Sequence, residues 1–246
     1  MRLNRFYCEI LKGPTVELVG GEAHHLHNVC RLKAGDEVEL FDGAGVLATA
    51  LIEKATSKSV LLKIVDLEKF ERPDKPEIVI AVSYPKGERF DWLTEKCTEL
   101  GVDRIIPVIF ERTVKQPRNP KIVERWRNIA IAAAKQCRRI FLPQIDLPVV
   151  LSEALSALKK QYDKAEILVG SLEPKSAALA TQQFGTKDVI AVIGPEGGIT
   201  EAEKALLENR RAKFVRLTNT ILRVETAALA FAAVLTASRD SKMKEK

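Results

Sequence analysis

The chain has 246 residues, 46% hydrophobic and 29% charged, with 13 glycines and 11 prolines, a composition that excludes a disordered or fibrous protein. At this length folding buries on the order of 70% of the unfolded surface, so neither disulfides nor a structural metal is required. Lys and Arg total 39 against 33 Asp and Glu, a net charge of +6 that suits a polyanionic partner.

No stretch approaches the ~20 apolar residues that span a bilayer. The amino-terminal MRLNRFYCEI lacks the apolar segment of a secretory signal, so a cytoplasmic protein with no membrane partner is expected. Cys8, Cys30, Cys97 and Cys137 form no closely spaced pair and read as reduced thiols. His24, His25 and His27 lie close together, but no carboxylate or thiol spacing completes a ligand set, so no metal is expected.

In chain order, residues 1–70 read as a small β-barrel. The runs VELV, DEVELF, VLATALIEKA and SVLLKIVDLE are short strands separated by the turn chemistries KAGD, DGAG and TSKS. The segment ERPDKP at 71–76 has two prolines, charge and no apolar period, and reads as a linker. Residues 77–246 then alternate apolar runs with amphipathic stretches, the order of a parallel α/β domain. In the first of its helices Phe90, Leu93, Cys97 and Leu100 share a face, and Gly101 caps it, so Cys97 reads as core rather than nucleophile. A second helix is predicted from about Asn119 to Cys137. Strands are predicted at EILVG, DVIAVIG and KFVRL, and a last helix from about Val224 through Thr236 precedes a frayed tail.

Two segments carry chemistry. In DVIAVIGPEGGITEAE a strand ends in Gly194-Pro195-Glu196-Gly197-Gly198, and Thr200 with Glu203 forms a capping-box pattern. Glycines let the backbone approach a ligand, and free amides at a helix start can donate to it. The alternative is a turn that only reverses the chain. In FVRLTNTILRVETAALA a strand runs into Thr218, Asn219 and Thr220 before a helix. Ligands of open α/β sheets sit beyond the carboxyl ends of strands, so the two loops can form one pocket. Arg223 and Glu225 face it or pair with one another. A basic set, Lys86, Arg89, Lys96, Arg104, Arg112, Lys115, Arg118, Lys135, Arg138 and Arg139, which Arg5 and Arg31 could extend, is a candidate phosphate-binding face for nucleic acid, although interleaved acids can neutralise it.

The motifs IGPEGGIT, LTNTILRVETAALA, PKGERFDWLTEKCTELGVDRIIPV, ERTV, KQCRRIFLP and HHLHNVCRLKAGDEVELFDGAG occur in the order seen in the RsmE family of ribosomal RNA methyltransferases, which the chain resembles along nearly its whole length. The resemblance implies an α/β protein with an amino-terminal PUA-like RNA-binding β-barrel (1–70) and a SPOUT methyltransferase domain with a trefoil knot (77–246). It implies a homodimer that uses S-adenosylmethionine to methylate N3 of one uridine in 16S ribosomal RNA of the small ribosomal subunit. The cofactor loops it implies are Ser171, Leu172 and Glu173; Gly194, Pro195, Glu196, Gly197 and Gly198; and Leu217, Thr218, Asn219, Ile221, Leu222 and Arg223. A bulky residue at Gly197 is expected to abolish cofactor binding. Thr218-Asn219-Thr220 stands where the family often has Gly-Pro-Arg.

Uracil N3 must lose its imide proton before it attacks a methyl group, so deprotonation and positioning are the tasks of the enzyme. Arg139, Arg223 and Arg5 are the candidate catalytic groups for stabilising the anion. No general base stands out: Glu196 and Glu225 can accept a proton, but each has a structural alternative. The competing functions are a non-catalytic RNA-binding or ribosome-assembly factor and a knotted methyltransferase acting on another RNA.

Overall fold

The computed structural model describes residues 3–85, 87–114, 121–173, 175–182, 184 and 187–243. The chain forms two compact units: Met1–Pro73 with Ile131–Leu142, and Asp74–Ala130 with Pro143–Lys246.

The first unit contains β1 (Arg5–Tyr7), β2 (Thr15–Val19), α1 (Gly20–His24), a π-helical turn over His25–Val29, β3 (Glu37–Phe41), β4 (Val46–Ala55) and β5 (Ser59–Lys69). The strands pair in the order β1-β3-β4-β5-β2, with β1 and β3 parallel and the rest antiparallel. Along β2, Val16 and Leu18 point inward and their neighbours outward, the two-residue alternation of a sheet with one buried face. Register shifts at Thr49/Ala50 and Ile52/Lys54 bend β4 against β5. The pairing runs from β1 to β2, with no pair joining those ends among the described residues. The DGAG turn has a definite chemistry. Asp42 Oδ1 accepts from the Ala44 and Val46 amides at 2.7 and 2.9 Å. Gly45 has φ +119° and brings its α-carbon so close to the Phe70 carbonyl that a Cβ would lie 2.5 Å from it.

Residues 131–142 add an apolar patch, with Ile131 and Ala134 against Phe41. They also bring cations onto the acids of the sheet. Lys135 Nζ donates to Glu22 at 2.8 Å, and Arg138 Nη1 to Glu39 at 2.7 Å. Arg5 also pairs with Glu39 through Nε, and its Nη1 donates to the Arg139 carbonyl at 3.2 Å. Burial pushes the Glu39 carboxyl up, but hydrogen bonds and charge from Arg5 and Arg138 outweigh it and hold the group below its usual value. A depressed folded value means stabilisation that is complete above the unfolded pKa and lost as pH falls through the folded one. Glu39→Gln should therefore be less stable than wild type at pH 7, and the gap in denaturation midpoint should close as the pH is lowered through the carboxylate range.

The second unit begins with β6 (Ile78–Ser83), α2 (Arg89–Glu99), β7 (Arg104–Ile109) and α3 (Ile122–Cys137), whose last turns belong to the first unit. It continues with β8 (Gln144–Ile145), β9 (Val149–Val150), α4 (Leu151–Gln161), β10 (Glu166–Gly170), β11 (Ala177–Ala178), β12 (Val189–Ile193), α5 (Glu201–Glu208), β13 (Lys213–Arg216) and α6 (Val224–Met243). All of its paired strands are parallel, in the order β11-β13-β10-β12-β6-β7-β8, with β9 also on β7. β6 is buried at every position, as a parallel strand covered on both faces must be. Phe90, Leu93 and Cys97 of α2 are buried in one cluster with Trp126, Ala228 and Phe231, so Cys97 is core.

Two boundaries differ from the sequence reading. Among the described residues α3 starts at Ile122, and 115–120 lie outside them. α6 continues past Thr236 to Met243 rather than fraying. Arg239 explains this: it is buried, with Nη1 2.8 Å from Asp103 Oδ2, and Lys242 donates to the Phe184 carbonyl. These contacts tie the polar end of the helix to the sheet.

Candidate functional site

Adjacent strands β13, β10 and β12 each end in a loop on the same edge of the parallel sheet, the edge where ligands of such sheets collect. The three loops enclose a cavity of about 300 Å³. Ser171, Leu172 and Glu173 line it from the loop after β10. Gly194, Pro195, Glu196 and Gly198 line it from the loop after β12, and Leu217, Thr218, Ile221 and Leu222 from the loop after β13. The structure thus brings most of the sequence-selected loop residues to one place. Gly197, Asn219 and Arg223 belong to the same loops but do not line the cavity. The floor comes from residues that sequence did not select, among them Ile193, Phe214, Ala227 and Phe231. Their signal was the spacing of Val224, Ala227 and Phe231, which stack on one face of α6. Leu172 and Ile221 leave apolar surface exposed at the cavity wall, 52% and 83% accessible.

The glycine-rich loop is shaped by its own chemistry. Gly198 has φ +80°, and its amide donates to the Pro195 carbonyl at 2.8 Å. A Cβ on Gly194 would meet Ile199 Cγ1 at 2.6 Å. The capping box is present: the Glu203 amide donates to Thr200 Oγ1 at 3.4 Å, and the Thr200 amide to Glu203 Oε2 at 2.9 Å. The other oxygen of Glu203 accepts from the Glu111 amide at 2.7 Å, which docks the loop after β7 against this turn. From that loop Arg112 Nη1 donates to the Gly197 carbonyl at 2.8 Å. In the loop after β13 the Thr220 amide donates to Thr218 Oγ1 at 3.3 Å, and Thr218 Oγ1 to the Thr220 carbonyl at 3.0 Å, so this Thr-Asn-Thr stretch folds on itself. Lys204 Nζ donates to Glu173 Oε1 at 2.8 Å, which raises the ammonium pKa.

The candidate cations fall into separate environments. Arg5 is buried in the first unit with its guanidinium held by Glu39 and the Arg139 carbonyl, and Arg139 Nε donates to the Phe141 carbonyl at 2.5 Å. Lys135 and Arg138 are engaged with Glu22 and Glu39 in that unit, where Arg31 is exposed with φ 55°. In the second unit Arg223 is exposed, Arg112 braces the glycine-rich loop, and Lys86 lies outside the described residues. Arg89 stands between two carboxylates, Nη1 3.3 Å from Glu196 and Nε 3.6 Å from Glu225. Glu225 is therefore buried and paired with Arg89, not with Arg223 on the surface. Among the described residues no group of three or more His, Cys, Asp or Glu can hold a metal ion, and no helix is long and apolar enough to cross a membrane.

Glycine-shaped backbone, apolar walls and a few carboxylates at the edge of a parallel sheet suit a nucleoside-bearing ligand. Residues 72–236 match the family model described as RNA methyltransferase domain, and residues 18–65 the one described as RNA methyltransferase PUA domain. The chain is thus an RNA methyltransferase with a PUA domain. Ribosomal RNA small subunit methyltransferase E of Bacillus subtilis is 30% identical over 241 residues, covering 92% of this chain and 93% of the relative. The protein of the same name from Synechocystis is 32% identical over 230 residues, covering 92% and 74%. Ribosomal RNA small subunit methyltransferase E of Neisseria gonorrhoeae, solved bound to S-adenosyl methionine, superposes with a TM-score of 0.83 at 29% identity, covering 96% and 98%. The chain belongs to the ribosomal RNA small subunit methyltransferase E family.

Proposed function

We propose that this protein transfers a methyl group from S-adenosylmethionine to N3 of one uridine in 16S ribosomal RNA, acting as a cytoplasmic homodimer on the small ribosomal subunit. The observation that carries the reading is the cavity formed by the three strand-end loops, in a chain whose Neisseria gonorrhoeae relative was solved with S-adenosyl methionine. The residues present fit that ligand. Gly194 and Gly198 keep the wall free of side chains, Leu172, Ile221 and Leu222 offer apolar surface to a purine, and backbone groups of 217–222 supply polar contacts. Bound there, the cofactor would supply an electrophilic methyl group.

The tasks left to the protein are to seat the uracil, take its N3 proton and stabilise the charge that develops on its carbonyl oxygens. Of Arg139, Arg223 and Arg5, only Arg223 lies on a loop of the cavity itself, so it is our choice for the anion-stabilising group. Arg5 is buried on Glu39 and the Arg139 carbonyl and serves the structure of the first unit, a PUA-like domain, in which the exposed Arg31 is our choice for an RNA contact. The trefoil knot that the family resemblance implies is part of this reading.

The deciding experiment incubates the protein with methyl-labelled S-adenosylmethionine and unmodified small subunits and identifies the labelled nucleoside by mass spectrometry. Label in 3-methyluridine is expected. Label in another nucleoside would overturn the uridine N3 assignment. RNA binding that is steeply salt-dependent, indifferent to the cofactor and without transfer would leave a binding factor instead.

A further inference from the structure

A second cavity, of about 570 Å³, opens at the other edge of the same sheet. It lies between the carboxyl-terminal ends of α4 and α5 and the first residues of β10 and β12, with the buried Leu158, Tyr162 and Ile190 beneath it. Lys159, Arg210 and Arg211 line it against a single acid, Asp163. Among the described residues none of these three cations has an ion pair or a side-chain hydrogen bond. Elsewhere in the unit Arg89, Arg104, Arg125, Arg239, Lys204 and Lys213 each rest on a carboxylate. Helix carboxyl ends attract cations, but a Lys or Arg that caps a helix donates to its last carbonyls, and these three donate to none. Three like charges around one concavity repel each other and focus a positive potential there, which a seated anion relieves. Arg211 has φ 57° just after α5, and its amide donates to the Glu208 carbonyl at 2.8 Å. Glycine is the usual residue in that left-handed position, so an arginine is strained there and stability does not account for it.

We infer that this second cavity binds backbone phosphates of the RNA substrate, away from the point of methyl transfer. The α5 helix joins the two places. Glu201 and Lys204 near its start line the cavity of the three loops, and Asn209, Arg210 and Arg211 after its end line this one. The helix has eight residues, a length of about 12 Å, so one RNA substrate can touch both ends. Arginine holds phosphate through two parallel N–H groups and lysine holds it as a point charge, and both kinds of donor are present. Lys159 and Arg211 are exposed, which leaves the rim open to a polymer. The inference rests on the substrate being RNA and not on which base is methylated.

Filter binding of unmodified small subunits between about 50 and 200 mM salt reads the contact. Lys159→Gln, Arg210→Gln and Arg211→Gln combined should flatten the slope of log K against log salt by about 2 and weaken binding at least about tenfold, with the S-adenosylmethionine Kd kept within about threefold. Lys160→Gln with Lys164→Gln removes two exposed charges near the same helix end that do not line the cavity, and should change the slope by less than about 0.5. Arg211→Gly should raise the urea midpoint, because glycine takes that φ without strain, and still flatten the slope by about 1. An unchanged slope in the triple variant overturns the proposal, as does an equal loss per charge in the Lys160 and Lys164 pair, which would leave only a diffuse field. Pyrophosphate binding tighter than about 10 µM, lost in a triple variant whose RNA slope is kept, would overturn it in favour of a small phosphorylated ligand. Methyl label outside 3-methyluridine would sink the uridine reading and leave these slopes to decide the phosphate site.

Discussion

Gly194→Val should weaken S-adenosylmethionine binding by at least about 100-fold, or close to 3 kcal/mol, whereas Gly197→Ala should leave it within about threefold. A Cβ on Gly194 would lie 2.6 Å from Ile199 Cγ1 and 3.1 Å from its Cδ1, and both residues line the cavity. The added branches have either to occupy the cavity or to push Ile199 out of the apolar cluster beneath, where it packs among β7, α4 and β12. Neither leaves room for a nucleoside. At Gly197 a Cβ meets only Arg112 carbon atoms at 3.5 and 3.6 Å, ordinary contact, and the residue does not line the cavity. The sequence reading expects a bulky residue at Gly197 to abolish binding; the contacts a Cβ would meet predict that Gly194 is the more sensitive position. Calorimetric titration of the two variants checks this, and the reverse ranking would mean that the glycine-rich loop does not form the cofactor wall.

How much of this was legible in the sequence depends on range. Thr200 and Glu203 announce a capping box because both partners lie within one helical turn, and the box is present. The loops after β10, β12 and β13 are legible because each is an apolar run cut off by glycine or polar residues. That they form one cavity follows from β13, β10 and β12 being neighbours, an order no local pattern encodes. The same holds for side-chain roles. Arg89, Arg112, Lys135 and Arg138 look alike in sequence, as cations in a mixed-charge stretch. Partners 85 to 113 residues away decide that Arg112 braces a carbonyl and that Lys135 neutralises Glu22. The α4 helix is a different case, since Leu151, Ala154, Leu155 and Leu158 carry a readable helical period that the sequence reading left unassigned. The three-residue β1 is too short to show any period.

The glycine-rich loop is thus held from outside itself, by Glu203 on the Glu111 amide, by Arg112 on the Gly197 carbonyl and by Arg89 on Glu196. Two segments that carry no cavity wall of their own, the start of α2 and the loop after β7, together with the first turn of α5, set its shape. This arrangement gives the ERTV and GER motifs a physical purpose that does not require them to touch RNA. Their removal is expected to act on the shape of the cavity.

The largest loss of stability should come from the other edge of the sheet. Asp103 precedes β7 and is 4% exposed; it accepts from Lys75 Nζ at 3.1 Å, the Ile78 amide at 3.0 Å and Arg239 Nη1 at 2.8 Å. Asp103→Ala leaves the Arg239 guanidinium, itself 7% exposed, with only the exposed Asp240 and the Gly101 carbonyl as partners, a change that costs about 3 kcal/mol, the low end for breaking a buried pair. The measurement is the urea midpoint, which should fall with little change in slope. Because much of the cost is the buried cation that loses its closest counter-charge, Arg239→Ala added to Asp103→Ala should lower the midpoint by less than the sum of the two single losses, and a double-mutant cycle should report coupling. Cofactor affinity measured well below the unfolding transition should stay near wild type, since Asp103 sits at the amino-terminal edge of strands whose carboxyl ends form the cavity. A variant that kept its stability, or two single losses that simply added, would mean that the end of α6 is held by its apolar face rather than by this ion pair.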